Sequence, residues 1–309
     1  MSGVETRPVT TPAPTAVAPP SGGRKAARMT SGGVQRSWLV RIGLLIVVIL
    51  FLVPTFGLLV TSFRSREDAT STSWWSAILN PFGSQWTLDG YQEVLSQGMG
   101  NAFVNSLVIT IPATIIPILI AAMAAYAFTF MQFRGRDFTL AAIVALLVIP
   151  AQVTFIPLLN LLGTFDLVGT FPALWLAHIG YGMPLAVFLL RAYMSTLPKA
   201  VIESAKIDGA THYQTFWRLI LPMSVPALAS FAIFQFLWVW NDLLVALIFL
   251  GTGPREPVTL NLASLLGAFG SRWDLLAPGA FITLSLPLIV FFSLQRYFVR
   301  GMTAGSVMG

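Results

Sequence analysis

What most limits the folds open to this chain is a series of long apolar runs, beginning at residues 39–60. Each comes close to the roughly 20 helical residues needed to cross a bilayer core of about 30 Å. Five further runs follow at about 103–130, 138–162, 171–192, 224–250 and 276–298. Hydrocarbon offers the backbone no hydrogen-bond partner, so each run is expected to satisfy its own peptide groups as a helix. The predicted fold is all-α, a polytopic membrane helix bundle of about six transmembrane helices with the first span at 38–62. Composition agrees: 56% of the 309 residues are hydrophobic and 10% charged, where a soluble domain carries about 25% charged residues.

Residues 1–36 are rich in Thr, Pro, Ala, Ser and Gly, with little to bury, and read as a disordered tail ahead of a membrane domain at 37–309. Arg24, Lys25, Arg28, Arg36 and Arg41 give the first apolar run the look of a signal peptide. No small-residue cleavage site follows it, so a retained first span is expected. With six spans and the tail inside, Arg134, Arg136, Arg191, Lys199, Lys206, Arg218, Arg296 and Arg300 all fall on the cytoplasmic side. Only Arg64, Arg66, Arg255 and Arg272 fall outside. That asymmetry predicts cytoplasmic N- and C-termini.

The formal charge of +6 is scattered between apolar runs rather than gathered on one face, which argues against nucleic acid and for membrane lipid as the surrounding partner. With no cysteine and only His178 and His212, neither a disulfide nor a metal site is expected. No phosphate-binding loop of the Gly-x-x-x-x-Gly-Lys-Ser/Thr kind occurs, and no acid, base and nucleophile set suggests an enzyme. His178 lies in an apolar run without carboxylate neighbours in sequence and is read as structural.

Most spans contain proline: Pro112 and Pro117, Pro150 and Pro157, Pro184, Pro226, and Pro278 and Pro287. Each frees a carbonyl that neighbouring helices or water must satisfy. Residues 63–102 form a polar loop whose Trp74, Trp75, Trp86 and Tyr91 suit a membrane interface. Residues 257–271, with Leu260, Leu262, Leu265 and Leu266, read as a short helix that does not cross. Asp242 is the ionisable residue deep in a span. Placing it there costs about 2.5–3.5 kcal/mol, so it should cap a helix break, pair with another chain or line a pathway. Beside it, Trp238, Trp240 and Asn241 offer the aromatic face and amide that sugar recognition uses, while tryptophans equally serve as anchors at the membrane interface.

Between the fourth and fifth spans lies a polar island, residues 195–222. Pro198 suits a first helical position, and Lys199, Glu203 and Lys206 fall on one face opposite Val201, Ile202 and Ala205. Gly209 is expected to close this helix in the left-handed conformation. Thr211 and Gln214 form a capping-box pattern for a second helix that stops at Pro222.

Glu203-Ser204-Ala205, Asp208-Gly209-Ala210 and Ile220-Leu221-Pro222 together resemble the EAA loop of ABC importer permeases, with Ser204 where the motif usually has Ala. Asn105-Ser106, Ala124 to Phe128 followed by Phe133-Arg134-Gly135-Arg136, Trp240-Asn241-Asp242 and the ending Gln295 to Gly305 are similar to the carbohydrate-uptake branch, the MalG-like permeases. Met308 departs from the usual Lys-Gly ending. The resemblance implies a permease subunit that translocates a sugar, an α-glucoside or other di- or oligosaccharide, by ATP-driven alternating access. It implies coupling to the ATPase through Glu203, Ser204, Ala205, Asp208, Gly209, Ile220, Leu221 and Pro222, and a pathway or gate at Asn105, Trp240, Asn241 and Asp242. Its implied partners are a MalF-like second permease, two copies of an ABC ATPase and an extracytoplasmic sugar-binding protein. No cofactor is expected in this chain, ATP and Mg being bound by the ATPase subunits. A permease for a polyol or glycerol phosphate stays open. An ion-coupled secondary transporter would need more intramembrane carboxylates and usually two similar halves, neither of which is evident.

Overall fold

A computed structural model describes residues 38–265 and 272–304. The tail at 1–36, Leu266, Ser271 and Met308 lie outside the described residues. Among those described there is no strand, only an isolated antiparallel bridge between Arg64 and Trp86.

Helix α1 (Trp38–Ser62) is followed by three short helices, α2 (Arg66–Ser71), α3 (Trp74–Leu79) and α4 (Asp89–Val94), in place of the expected polar loop. A wide turn then leads into α5 (Gly100–Phe130). The third span departs from the single helix expected at 138–162. It is α6 (Arg136–Ala145) and α7 (Phe155–Gly163), joined through short 3-10 turns and bent by 99°. The cause is local: Ile149, the residue before Pro150, is held extended at φ −79° and ψ 119°, because the proline ring excludes helical geometry there.

Helix α8 (Phe171–Met194) is continuous. The island holds α9 (Lys199–Ile207), α10 (His212–Thr215), a wide turn at Phe216–Ile220 and α11 (Leu221–Met223), then bends by 71° into α12 (Val225–Trp240). Pro198 precedes the first helical residue instead of occupying it, and Pro222 lies within the last turn instead of stopping it, the turn falling at Ser224. The fifth run at 224–250 is also not one continuous helix. The 16 residues of α12 reach about 24 Å, short of a bilayer core, before the chain breaks and resumes as α13 (Leu244–Phe249). Helix α14 (Val258–Leu265) falls within the short helix expected at 257–271, and α15 (Trp273–Ala304) is the last long helix, apolar enough to cross a membrane over Trp273–Gln295.

Helix α5 packs along α8 and α12, and α12 along α15. Ala121, Ala122 and Ala125 of α5 are fully buried against Ala186 and Val187 of α8, the small side chains that let membrane helices approach closely.

Three of the carbonyls freed by proline have identifiable partners. Pro112, Pro117 and Pro287 lack the N–H that would bond Val108, Ala113 and Thr283 four residues earlier. Val108 instead accepts from the indole of Trp175 at 2.9 Å, Ala113 from the amide of Gln235 at 3.1 Å, and Thr283 from the indole of Trp240 at 3.1 Å. Each donor comes from another helix, so each proline becomes a cross-link between spans.

Candidate functional site

The island closes on itself. Gly209, at φ +74°, donates to Lys206 O at 3.1 Å while Ala210 donates to Ala205 O at 2.9 Å, a Schellman ending that needs a left-handed residue. Thr211 and Gln214 then complete the predicted capping box, at 3.3 Å and 2.9 Å. Ile202, Phe216 and Ile220 anchor this corner to the core formed by α5 and α8, and Tyr126 Oη meets His212 Nδ1 at 2.9 Å. Sequence reasoning misses this role of Tyr126, because nothing local marks it.

With the apolar face so used, Glu203, Ser204 and Asp208 are exposed beside Lys199 and Lys206, while Ala205 is buried. Ile207 and Tyr213 stand out at 85% and 73% exposure, an apolar pair amid charge. Of the remaining motif residues, Ile220 is fully buried, Leu221 half-buried and Pro222 exposed.

The other candidate set lies at the break after α12 and divides. Trp240 is 1% exposed, stacked on Phe236 and edge-on to Phe103, with its indole N–H given to Thr283. It is a core residue in this conformation. Asn241 is exposed, its amide returned to Leu237 O at 2.7 Å. Asp242 caps α13, accepting from Ala246 N at 3.0 Å and Val245 N at 3.4 Å, and its carbonyl accepts from Thr259 at 2.6 Å. His178, buried in α8, brings Nε2 to 3.8 Å from the Asp242 carboxylate, a neighbour that local sequence concealed. Asn105 is also a tether: its amide donates to Pro254 O and Glu256 O at 3.0 and 3.1 Å, while Ser106 accepts from Val258 N at 2.9 Å. The pair pins the segment leading into α14.

Trp238 differs from Trp240. It contributes, with Tyr181, Pro184 and Leu158, to the wall of a cavity of about 490 Å³ beside the bent third span. Beyond the spans, Arg272 binds Glu93 at 2.8 Å and Asp274 at 3.0 Å, tying α4 to the start of α15. Those hydrogen bonds, to Asp274 first and then Glu93, raise the pKa of Arg272 above its ordinary value.

The family model described as "Binding-protein-dependent transport system inner membrane component" matches residues 117–304, which contain the island and both candidate sets except Asn105. The osmoprotective compounds uptake permease protein GgtD of Synechocystis is 52% identical over 87% of this chain and 91% of that protein. The alpha-glucoside transport system permease protein AglG of Rhizobium meliloti is 56% identical over 73% of this chain and 61% of that one. Among solved structures, a chain of a bacterial alginate ABC transporter in complex with an alginate pentasaccharide-bound periplasmic protein superposes with a TM-score of 0.58 at 17% identity, covering 84% of this chain and 94% of that one. Six apolar runs, a self-closed polar island between the fourth and fifth, and this agreement over most of the chain make it a member of the inner membrane permease family of binding-protein-dependent ABC transport systems.

Proposed function

We propose that this chain is one of two permease halves of an ABC importer that moves an α-glucoside or a similarly small glycoside inward, the other half being a MalF-like subunit. The observation that carries the reading is the island. Its corner is closed by hydrogen bonds within the segment, its apolar face is anchored to the bundle, and Glu203, Lys206, Ile207 and Tyr213 are left exposed. A short rigid helix presented in this way suits a groove on a partner ATPase, of which two copies would bind ATP and Mg, this chain having no phosphate-binding loop. With the island and the termini on the cytoplasmic side, most basic residues of the sequence fall on that side too, which supports this orientation. An extracytoplasmic binding protein would deliver the solute at the opposite end. Trp238, on the cavity wall, is a better candidate pathway residue than Trp240.

The name of AglG supports an α-glucoside, and that of GgtD a small osmoprotective solute as a second reading. Both are tested in proteoliposomes holding this chain with its cognate permease, ATPase and binding protein. ATP-dependent uptake of a labelled α-glucoside is expected. Uptake of a polyol or glycerol phosphate alone overturns the glycoside assignment, and uptake driven by an ion gradient without ATP overturns the importer. The chain has no cysteine, so single cysteines report its orientation. An impermeant thiol reagent should label Ser65→Cys in intact cells and leave Ser204→Cys untouched.

A further inference from the structure

Residues 69–88 contain no charged side chain. Along them Trp75, Ile78, Leu79, Phe82, Trp86 and Leu88 are exposed, Leu79 at 82% and Phe82 at 100%. Scattered single apolar residues on a surface need no explanation, but six on one short segment call for a partner.

The segment is firmly held. Ser65 N donates to Gln85 O at 3.0 Å and Thr87 N to Phe63 O at 2.8 Å, and the Asp68 carboxylate accepts from Gln85 N at 2.7 Å. Arg64, 3% exposed, reaches the carbonyls of Asp68 and Thr72. Residues 85–87 are thereby fixed beside the residues that directly follow the end of α1.

Its depth is fixed as well. Trp74 packs over Gly57 so closely that a Cβ there would lie 2.8 Å from the indole, and Phe56 meets the same ring edge-on at 6.2 Å. Gly57 sits five residues inside the end of α1, about 7.5 Å at the helical rise. The chain therefore leaves the first span, turns through α2 and comes back alongside it. Helix α3 starts within the depth of the span.

We propose that residues 74–88 lie in the boundary between headgroups and acyl chains of the lipid leaflet at this end of α1, with Trp75, Leu79 and Phe82 inserted. Three features favour lipid over a docked protein. The segment has no charge for the polar rim that protein interfaces usually carry. It lies alongside the last turns of α1, the end of an apolar helix long enough to cross a bilayer, and interfacial segments settle about 5–10 Å into the boundary zone. Trp86 already gives its indole N–H to Pro81 O at 2.8 Å, so its ring can enter a drier layer without an unsatisfied donor. Bonded to the end of α1, such an anchor would set the depth and rotation of the first span.

Single cysteines at Phe82→Cys and, as a water-facing reference, Ser71→Cys can carry an environment-sensitive fluorophore in the assembled transporter in nanodiscs. Phosphatidylcholine brominated high on its acyl chains should quench the probe at 82 by about twofold or more and leave that at 71 nearly unchanged, as shallow burial requires. Saturating binding protein should not alter the quenching. Equal, weak quenching at both positions overturns the proposal, because residue 82 is then in water or under another subunit. Quenching at 82 that disappears on adding binding protein also overturns it, since the patch is then a protein docking surface.

Discussion

The polar corner around Gly209 and the break around Asp242 both interrupt apolar sequence, yet they settle their backbone groups in opposite ways. The corner is closed from within: Ala210 to Ala205, Gly209 to Lys206, and Thr211 with Gln214. The break is closed partly from afar, Thr259 reaching Asp242 O, while Trp240 at its edge reaches out to Thr283 O of α15 and His178 stands beside the carboxylate. A locally closed element keeps its shape while its outer face engages something else. An element closed by distant helices is committed to the bundle, and moving it means breaking contacts among several spans.

The largest effect expected from testing this contrast is at Gly209. A Cβ at that position meets nothing within 4 Å, so space is not the obstacle. The obstacle is φ +74°, which a β-branched residue resists at a cost of about 1–3 kcal/mol. Gly209→Val should insert normally but lose ATPase from the purified complex, or lose stimulation of ATP hydrolysis by loaded binding protein. Gly209→Asn should be far milder, since asparagine tolerates the left-handed region. If Gly209→Val assembles and transports like the parent, the island is merely a connector.

At the break, Trp240→Phe should strand the Thr283 carbonyl and cost about 1–3 kcal/mol, read as a lower midpoint of unfolding in detergent. Adding Pro287→Ala restores the N–H that the helix lacks and should recover most of the loss. A double variant no more stable than Trp240→Phe alone would remove the cross-link from the account.

Asp242→Leu deletes the cap of α13, worth about 0.5–2 kcal/mol, along with the carboxylate beside His178. Uptake should fall with insertion intact, and Asp242→Asn, which keeps a capping oxygen, should retain more of it. Normal uptake by Asp242→Leu would show the site to be dispensable. The smallest effect belongs to Glu203→Ala. It alters one exposed contact worth about 0–1 kcal/mol, so ATPase affinity should weaken slightly and stability should not change. A larger loss of stability than at Trp240→Phe would reverse the contrast between the two regions.

Short-range features are legible in the amino-acid sequence alone. Gly209 reads as a left-handed helix end and Thr211 with Gln214 as a capping box, because donor and acceptor lie within a few residues of each other and the motif contains both. The apolar runs are readable because hydrocarbon imposes length and composition on each separately. Proline positions also announce which carbonyls are freed. What the sequence does not name is the group that satisfies them: Trp175 for Val108, Gln235 for Ala113 and Trp240 for Thr283 meet only after the helices pack. The same holds for His178, whose carboxylate neighbour is 64 positions away, and for Trp240, whose burial makes it core where its composition suggests a sugar platform. The sequence by itself determined the apolar runs and the helix ends whose donor and acceptor lie side by side in it, Gly209 and the Thr211–Gln214 cap, since those are decided by interactions along a few residues. Tertiary structure alone decided which polar groups are used up and which are left exposed, because their partners come from helices far apart in the chain.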